Sequence, residues 1–344
     1  MALVSRPLAV TRADVARQAG VSTAVVSYVI NEGPRNVAAP TRERVLEAIR
    51  ELGYRPNVVA QALKTRRTKT IGLLVPDSAN PYFAELARAI EDAASNHDYA
   101  LLLANSANDR AREVAQVNAL RDRQVDGLLL ISTSSGLEFD SLMGGNTPIV
   151  LLDRAAPAVN FPSVVVDNRR GAYLGVSHLI QHQHRQIACL AGPSTVEAAV
   201  DRRRGWQQAL EAADLCPDGL LYESDFSREG GYEAARGEIL TKANQPTAVF
   251  VSSDLQSTGV LRACYELRIR VPEDLAVVSF DGTVASKFTT PPLTAVQQDI
   301  TEMASAALRL VLAEPRAKPD LMTPPQEMVP SSLVIRQSCG CAAG

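Results

Sequence analysis

Through most of the chain, short apolar runs alternate with stretches in which apolar residues recur every three or four positions. The short runs are typical of buried strands, and the longer period is typical of amphipathic helices. The predicted strands cover 71–75, 100–104, 127–131, 149–152, 164–166, 187–191, 248–251 and 276–280. The predicted helices cover 83–95, 111–123, 171–180, 203–212, 257–267 and 302–312. This alternation predicts an α/β body over residues 71–338, built on parallel sheets that helices cover on both faces.

The N-terminal segment has a different pattern, which predicts short helices without strands. Thr11 and Asp14 have the spacing of a capping box, and Gly20 suits the left-handed residue that ends a helix. Ser22 is placed to cap a second helix soon after that glycine. Two short helices joined at a glycine are typical of the helix-turn-helix, so an all-α DNA-binding head is predicted over 9–56. A small three-helix bundle with surface arginines is the alternative reading.

The second helix of a helix-turn-helix enters the major groove by its N-terminal residues. The corresponding candidates here are Ser22, Thr23, Ala24, Ser27 and Tyr28. A third helix is expected from Thr41 to Gly53, with arginines on its exposed side.

Charge is distributed unevenly along a chain whose net charge is −3. Residues 1–70 contain 12 basic and 5 acidic side chains, a balance of +7, which leaves −10 for the remainder. A basic head on an acidic body favours a polyanionic partner for the head.

The head also carries a long ordered motif, which runs Thr11-Arg-Ala-Asp-Val-Ala-Arg-Gln-Ala-Gly-Val-Ser22, then Val26-Ser27, Val29-Ile-Asn31 and Leu52-Gly-Tyr-Arg-Pro-Asn57. This motif resembles the lactose/galactose repressor family of transcriptional regulators. The resemblance implies DNA contacts at Thr11 and Asn31 besides those of the second helix. Many members carry Arg where this chain has Tyr28, and because Arg is the usual reader of guanine, the operators of relatives are not transferred.

Residues 57–70 are expected to form a hinge. The segment from Asn57 to Lys64 has helical character, but isolated helices shorter than about 12–15 residues are marginal in water. The resemblance implies that it folds when two copies meet on DNA, with Leu63 as a minor-groove wedge and further contacts from Asn57, Ala60 and Lys64. A plain interdomain linker is the alternative.

The family resemblance implies a body similar to periplasmic sugar-binding proteins, with two subdomains, a cleft and chain crossovers near residues 167, 298 and 329. Ligands of open α/β sheets bind beyond the carboxyl ends of the strands. Asp77 and Ser253 are among the residues expected at these strand ends. The effector-binding candidates, from strand ends and from family landmarks, are Asn80, Tyr82, Phe83, Asp153, Arg202, Phe226, Asp254, Asp281 and Gln298. A sugar or polyol is favoured over a nucleobase, because apolar Val196 and Ala198 stand where purine-responsive members are more polar.

Together these features predict a homodimeric repressor that binds a near-palindromic operator under the control of a small polar effector. A free sugar-binding protein of the transport type would leave the head unexplained. An α/β enzyme is disfavoured because no catalytic motif is recognisable. Val75-Pro-Asp-Ser-Ala-Asn-Pro81 follows the first strand in place of a Gly-rich phosphate loop, so no nucleotide cofactor is expected.

Two partial metal motifs occur outside these sites. His178 and His182 lie four residues apart on a predicted helix, and Cys339 and Cys341 form a C-x-C near the end of the chain. No second ligand pair lies near the C-x-C, and the histidine segment resembles a structural stretch of the family that precedes a strand, so no metal is expected. The five cysteines indicate reduced thiols.

The longest apolar run, 99–104, is too short for a membrane helix and no secretory signal is recognisable, so the cytoplasm is the expected compartment.

Overall fold

The computed structural model divides into two compact units, Met1–Thr68 and Lys69–Gly344. The residues that it describes are 10–30, 36–55, 62, 65, 67–132, 146–153, 161–241, 245–313 and 325–341. None of the helices within these ranges is both long enough and apolar enough to cross a bilayer.

The described part of the first unit contains the helices α1 (Arg12–Ala19), α2 (Thr23–Ile30) and α3 (Ala39–Leu52). Thr11 and Asp14 form the expected capping box at the start of α1. Gly20 (φ 65°) and Gly53 (φ 62°) end α1 and α3 in the left-handed conformation that glycine adopts without strain. The predicted helix, turn and helix are therefore confirmed.

The third helix begins earlier than the sequence pattern predicts, at Ala39 rather than Thr41. Pro40 lies in its first turn, where the missing N–H has no intrahelical partner in any case, so the proline starts the helix rather than preceding it. The three helices enclose a small core of Val15, Ala16, Ala19, Val26, Val29, Val45, Ala48 and Tyr54.

The second unit contains two six-stranded sheets. The first is made of β1 (Thr70–Val75), β2 (Ala100–Asn105), β3 (Gly127–Leu130), β4 (Ile149–Leu152), β5 (Ser163–Val166) and β11 (Gln326–Val329). Its order is β11-β5-β4-β3-β1-β2, and all neighbours are parallel. Strands β3, β4 and β5 are buried along their whole length, which explains their uninterrupted apolar sequences.

The second sheet is made of β6 (Ile187–Ala191), β7 (Leu221–Glu223), β8 (Ala248–Val251), β9 (Ala276–Asp281), β10 (Thr294–Gln298) and β12 (Ser331–Val334). Its order is β12-β10-β9-β8-β6-β7. All neighbours are parallel except β12, which runs antiparallel to β10. The body thus has the predicted architecture of two parallel-sheet subdomains, with one antiparallel edge strand.

The helices that cover these sheets are α4 (Pro81–Ser95), α5 (Arg110–Asp122), α6 (Asn168–Gln181), α7 (Glu197–Glu211), α8 (Arg228–Ala234), α9 (Asp254–Leu267) and α10 (Ile300–Val311). Six begin at a cap residue whose side chain accepts a hydrogen bond from a backbone N–H, namely Asn80, Asp109, Asp167, Ser227, Ser253 and Asp299. These caps place most helix starts one to three residues before the predicted ones. Helix α7 begins six residues early, because the apolar segment around Ala198 is its first turn rather than a loop.

The chain passes between the two subdomains three times. It leaves the first sheet after β5 through Asp167, returns after β10 through Asp299, and crosses again between β11 and β12 at Pro330. The carboxyl ends of the parallel strands of both sheets line the cleft between the subdomains, so each subdomain contributes side chains to the same space.

Candidate DNA-binding head and effector cleft

In the head, the N-terminal turn of α2 is the most accessible part of that helix. Ser22 caps it, because its Oγ accepts a hydrogen bond of 3.3 Å from the backbone N–H of Val25. Ser22, Thr23 and Ala24 are exposed, and Ser27 and Tyr28 are half-buried. Exposed polar groups at the positive end of a helix dipole suit an approach to phosphates and base edges.

Thr11 has a second role that limits its freedom to contact DNA. Its hydroxyl donates to the Asp14 carboxylate at 2.6 Å, and its backbone N–H donates to the same oxygen at 2.9 Å. These hydrogen bonds, together with Arg17, hold the pKa of Asp14 below its usual value. The predicted contacts Asn31, Asn57, Ala60, Leu63 and Lys64 lie outside the described residues.

In the body, a narrow cleft lies between the two sheets. Its lining consists of Asp77, Asn80, Tyr82, Phe83, Asn108, Asp153, Val196, Ala198, Arg202, Phe226, Ser253 and Asp281. The free volume is about 60 Å³, whereas ligand pockets usually measure about 300–1,000 Å³. A sugar-sized ligand therefore requires the two subdomains to move apart.

A buried ion pair forms the floor of the cleft on the side of the second sheet. Arg202 Nη1 lies 3.3 Å from Asp281 Oδ1, and both side chains are about 5% exposed (5% and 6%). The Arg202 guanidinium also donates to Asn168 Oδ1 (2.8 Å) and to the carbonyl of Ser252 (2.6 Å), and it lies over the ring of Phe280 at 3.8 Å. The arginine is therefore held in one orientation, with its guanidinium group near the cleft.

Asp281 is perturbed in two independent respects. Burial, together with the neighbouring carboxylates of Asp254 and Asp153, raises its pKa to about 7 despite the opposing effect of Arg202. Its backbone has φ 104°, and Asp153 across the cleft has φ 62°. Non-glycine residues with positive φ are uncommon and cluster at functional sites, so both observations favour a ligand-binding role.

Polar side chains connect the two subdomains beneath the cleft. The hydroxyl of Tyr82, on α4, lies 2.9 Å from both Asp153 Oδ1 and Gln298 Oε1. Gln298 Nε2 in turn donates to Asp281 Oδ1 at 2.9 Å. Burial raises the pKa of Tyr82 well above its usual value, so the phenol stays protonated and can donate. The network reaches Arg202 through Asp281, so both subdomains share one chain of hydrogen bonds.

Phe226 supplies an aromatic face at the edge of the cleft, where it packs on a glycine. A Cβ added to Gly192 would lie 2.1 Å from Phe226 Cζ, so only glycine leaves room for the ring there. The half-buried ring can stack on the apolar face of a planar or pyranose ligand.

A larger depression of about 640 Å³ lies between α4 and the crossover segments near Asp299 and Pro330. Its walls include Glu85, Arg88 and Asp92, of which the last two are exposed. Because Arg202, Asp281 and Phe226 line the narrow cleft instead, the cleft is the stronger candidate for effector binding.

Comparison with known proteins agrees with this division into head and body. Residues 11–57 match the family described as bacterial regulatory proteins, lacI family, and residues 176–339 match a periplasmic binding protein-like domain. The chain is 38% identical over 303 residues to the HTH-type transcriptional repressor PurR of Edwardsiella ictaluri, covering 87% of this chain and 88% of that protein. The chain belongs to the lacI family. It is therefore a DNA-binding transcriptional regulator.

Solved structures of lacI-family proteins extend the likeness to the whole fold. The transcriptional regulator CelR–cellobiose complex is 32% identical, with a TM-score of 0.71, and covers 97% of this chain and 100% of that chain. The lac repressor dimer bound to operator and the anti-inducer ONPF is 30% identical, with a TM-score of 0.82, and covers 96% of this chain and 99% of that chain.

The predicted effector residues of this lacI-family regulator differ in how close they lie to the cleft. Seven of them line the cleft, namely Asn80, Tyr82, Phe83, Asp153, Arg202, Phe226 and Asp281. Gln298 lies behind them in the hydrogen-bond network. Asp254 does not line the cleft. Its carboxylate accepts from the backbone N–H of Thr283 at 2.7 Å and from the hydroxyls of Thr283 and Ser279, which points to a structural role.

Two polar residues at the cleft were missing from the sequence prediction. Asn108 lines the cleft in the loop after β2, and Asn168 orients Arg202 from the first position of α6. Both follow a predicted strand end within a few residues, so consistent use of the strand-end rule would have selected them.

Proposed function

We propose that this protein represses transcription as a homodimer on a near-palindromic operator in the cytoplasm, and that a sugar or polyol bound in the cleft controls its affinity for DNA. The observation that carries the proposal is the buried Arg202–Asp281 pair at the junction of the two subdomains. A ligand that contacts this pair and Asp153 at once binds both subdomains, so its affinity depends on their relative position.

The chemistry of the lining favours a ligand with several hydroxyl groups. Arg202 donates hydrogen bonds, Asp153 and Asp281 accept them, and Asn80 can do both. Phe226 provides a ring face, whereas Val196 and Ala198 offer no hydrogen bonds. The relative CelR is described in complex with cellobiose, which supports the same class of ligand.

The regulatory step follows from the network beneath the cleft. While the cleft is narrow, hydrogen bonds across the subdomain boundary join Tyr82 to Gln298 and Gln298 to Asp281. A ligand must replace these hydrogen bonds and widen the cleft, which changes the relative positions of the subdomains. The ligand changes the affinity for the operator only if it binds the DNA-bound and the DNA-free conformations with different affinities, and the ratio of those two affinities sets the size of the change.

Dimerisation is proposed through exposed apolar side chains of the body. Phe288 is 82% exposed, and Leu103 on the edge strand β2 is 51% exposed. A subunit interface would bury these two apolar side chains, and the related lac repressor is described as a dimer on its operator. We expect Phe288→Asp to shift the protein from dimer to monomer in sedimentation velocity. The control is Tyr265→Asp, which adds the same charge at a side chain that is 77% exposed on α9. Equal dimer fractions in both variants would rule out an interface at Phe288.

The effector class is tested by a thermal-shift screen of sugars, polyols and purines on the full-length protein. A ligand at 100 times its Kd stabilises the folded state by about 2.7 kcal/mol, which raises Tm by several degrees. We expect a hit among the sugars or polyols, and we expect that hit to change the affinity for an operator selected from random DNA by the protein itself.

The same screen on two variants separates binding in the cleft from binding elsewhere. Asp281→Asn should abolish the shift, because it exchanges an acceptor-only carboxylate for an amide. Asp92→Asn, at an exposed position on α4, should leave the shift unchanged. A shift from purines alone would overturn the sugar assignment, and a shift that survives in Asp281→Asn would move the ligand out of this cleft.

A further inference from the structure

Four metal-binding side chains meet in the second subdomain, far from the effector cleft. This group, the tail cluster, consists of His178, His182, Cys339 and Cys341. Their ligand atoms all lie within 4.8 Å of one another. The sequence-based argument that no second ligand pair lies near Cys339 and Cys341 is wrong in three dimensions, because the fold brings them to two histidines about 160 positions away in the chain.

The interatomic distances within the tail cluster match a small tetrahedron. Cys339 Sγ lies 3.3 Å from His178 Nε2, and Cys341 Sγ lies 3.6 Å from the same nitrogen and 3.1 Å from His182 Nε2. A tetrahedral Zn²⁺ site with bonds of about 2.0–2.3 Å has ligand-to-ligand edges of roughly 3.3–3.8 Å. The ligand atoms therefore need to move only by tenths of an ångström, and by about 1 Å along the longest edge, to surround one ion.

We propose that the tail cluster binds one Zn²⁺ ion with two thiolates and two imidazoles. This donor set suits zinc and other thiophilic ions, whereas Mg²⁺ and Ca²⁺ prefer oxygen ligands. Four protein ligands leave no open position, so the site is structural rather than catalytic.

The backbone brings the four ligands together from two directions. His178 and His182 lie one turn apart at the carboxyl end of α6, so their rings share a face, with centroids 4.7 Å apart. Cys339 and Cys341 follow β12, and Gly340 between them has φ 90°, a conformation that other residues rarely adopt. A C-x-C turn at a glycine can thus present both thiols to α6.

Further hydrogen bonds anchor the tail beside the cluster. Ser338 Oγ donates to the carbonyl of Val277 at 2.6 Å and accepts from the backbone N–H of Thr294 at 2.8 Å. Thr294 Oγ1 lies 3.0 Å from Cys339 Sγ, where it can donate to a thiolate. Cys339 and His178 are buried and their partners are half-buried, so the ion would be largely shielded from solvent.

The position of the tail cluster assigns zinc a role in stability. Helix α6 carries the histidines at its carboxyl end and Asn168, which orients Arg202, at its amino end. About 20 Å separates the two ends at 1.5 Å per residue. The ion would attach the last residues of the chain to α6 without contacting the effector.

The test is the metal content of full-length protein purified under reducing conditions, without a metal-affinity tag, from zinc-supplemented cells. We expect about one zinc per wild-type chain by mass spectrometry. Replacement by Co²⁺ should give the visible absorption of a tetrahedral site together with thiolate charge-transfer bands. Chelation should lower Tm, and added Zn²⁺ should restore it.

Three variants make the test specific. Cys341→Ser and His182→Asn should each lose the zinc, the cobalt spectrum and the response of Tm to chelator. Both change half-buried side chains, so we expect the variants to fold. Cys216→Ser, at an exposed cysteine outside the cluster, should behave as wild type. Wild-type protein without zinc or a cobalt spectrum, a Cys339–Cys341 disulfide under these conditions, or zinc retained in both cluster variants would overturn the proposal. Operator and effector binding do not enter the readout.

Discussion

Replacing Arg202 with methionine is expected to destabilise the body by about 3–5 kcal/mol at pH 8, because it leaves the buried Asp281 carboxylate without its counter-ion. Two acceptors, Asn168 Oδ1 and the carbonyl of Ser252, lose their donor at the same time. The methionine keeps the apolar stem that packs on Phe280, so most of the effect is electrostatic.

The loss of stability should depend on pH, and its sign follows from Asp281. A carboxyl group whose pKa is higher in the folded state than in the unfolded state binds a proton more tightly when the protein is folded. This proton therefore stabilises the fold at low pH, and the stabilisation is lost as the pH rises through the pKa of the folded state. In the wild type that pKa is about 7 with Arg202 opposing the rise. Without Arg202 it rises further, so Asp281 is protonated in both proteins at pH 5.5, where the two acceptors without a donor account for most of the difference between wild type and variant. It should grow above pH 7 by up to about 1.4 kcal/mol per pH unit.

Urea unfolding at pH 5.5 and pH 8 measures both parts of this prediction. Arg204→Met, two positions along α7 at an exposed arginine that pairs with Asp201 at the surface, should change stability by less than about 0.5 kcal/mol at either pH. The double variant Arg202→Met/Asp281→Asn should lose the pH-dependent part. A destabilisation of equal size at both pH values would show that the ion pair is not its cause.

Ala24→Glu in the head should weaken operator binding by at least a factor on the order of 100, because it places a carboxylate against DNA phosphates in both subunits of a dimer. Ala24 is exposed at the second position of α2. Glutamate is a good helix former, and an acid near a helix N-terminus interacts favourably with the dipole, so the head should stay folded.

The control for added charge is Leu46→Glu, at a side chain of α3 that is 42% exposed. Fluorescence anisotropy with the selected operator, at several salt concentrations, should show nearly unchanged affinity for this control. Circular dichroism should show the same helix content in both variants. If both variants lost affinity equally, net charge rather than the N-terminal turn of α2 would be responsible.

Much of the fold could be predicted from the sequence because its strands are buried on both faces. The apolar segments 149–152, 187–191 and 248–251 coincide with β4, β6 and β8. Four strands were not predicted. Alternate residues of β7 and β11 are exposed, so no apolar run remains. In β10 and β12 polar residues shorten the apolar run, although β10 is buried at four of its five positions. Helix starts were placed late, since polar caps such as Asp167 resemble loop residues until the backbone N–H groups that they accept from are known.

The candidate sites differ in how far sequence reasoning reached. Strand-end positions and the family resemblance together selected most of the cleft, including Arg202, which lies on a helix rather than at a strand end. In the sequence, Asp254 and the serine before it are equally plausible ligand-binding residues. Only the hydrogen bond from the Thr283 backbone N–H shows that the Asp254 carboxylate points away from the cleft. The tail cluster required the antiparallel register of β12 on β10, which brings Cys339 back to α6 and has no local sequence signal.

The three crossings between subdomains mean that neither half of the body is a continuous segment of chain. The first sheet is complete only when β11 pairs with β5, and the second only when β12 pairs with β10. During synthesis on the ribosome, β5 therefore presents an open edge while the following residues up to 325 are translated, a period of roughly ten seconds or more at 5–20 residues per second. The nascent body can reach its final topology only after β11 and β12 have emerged, which makes this interval the one in which chaperones would be most needed.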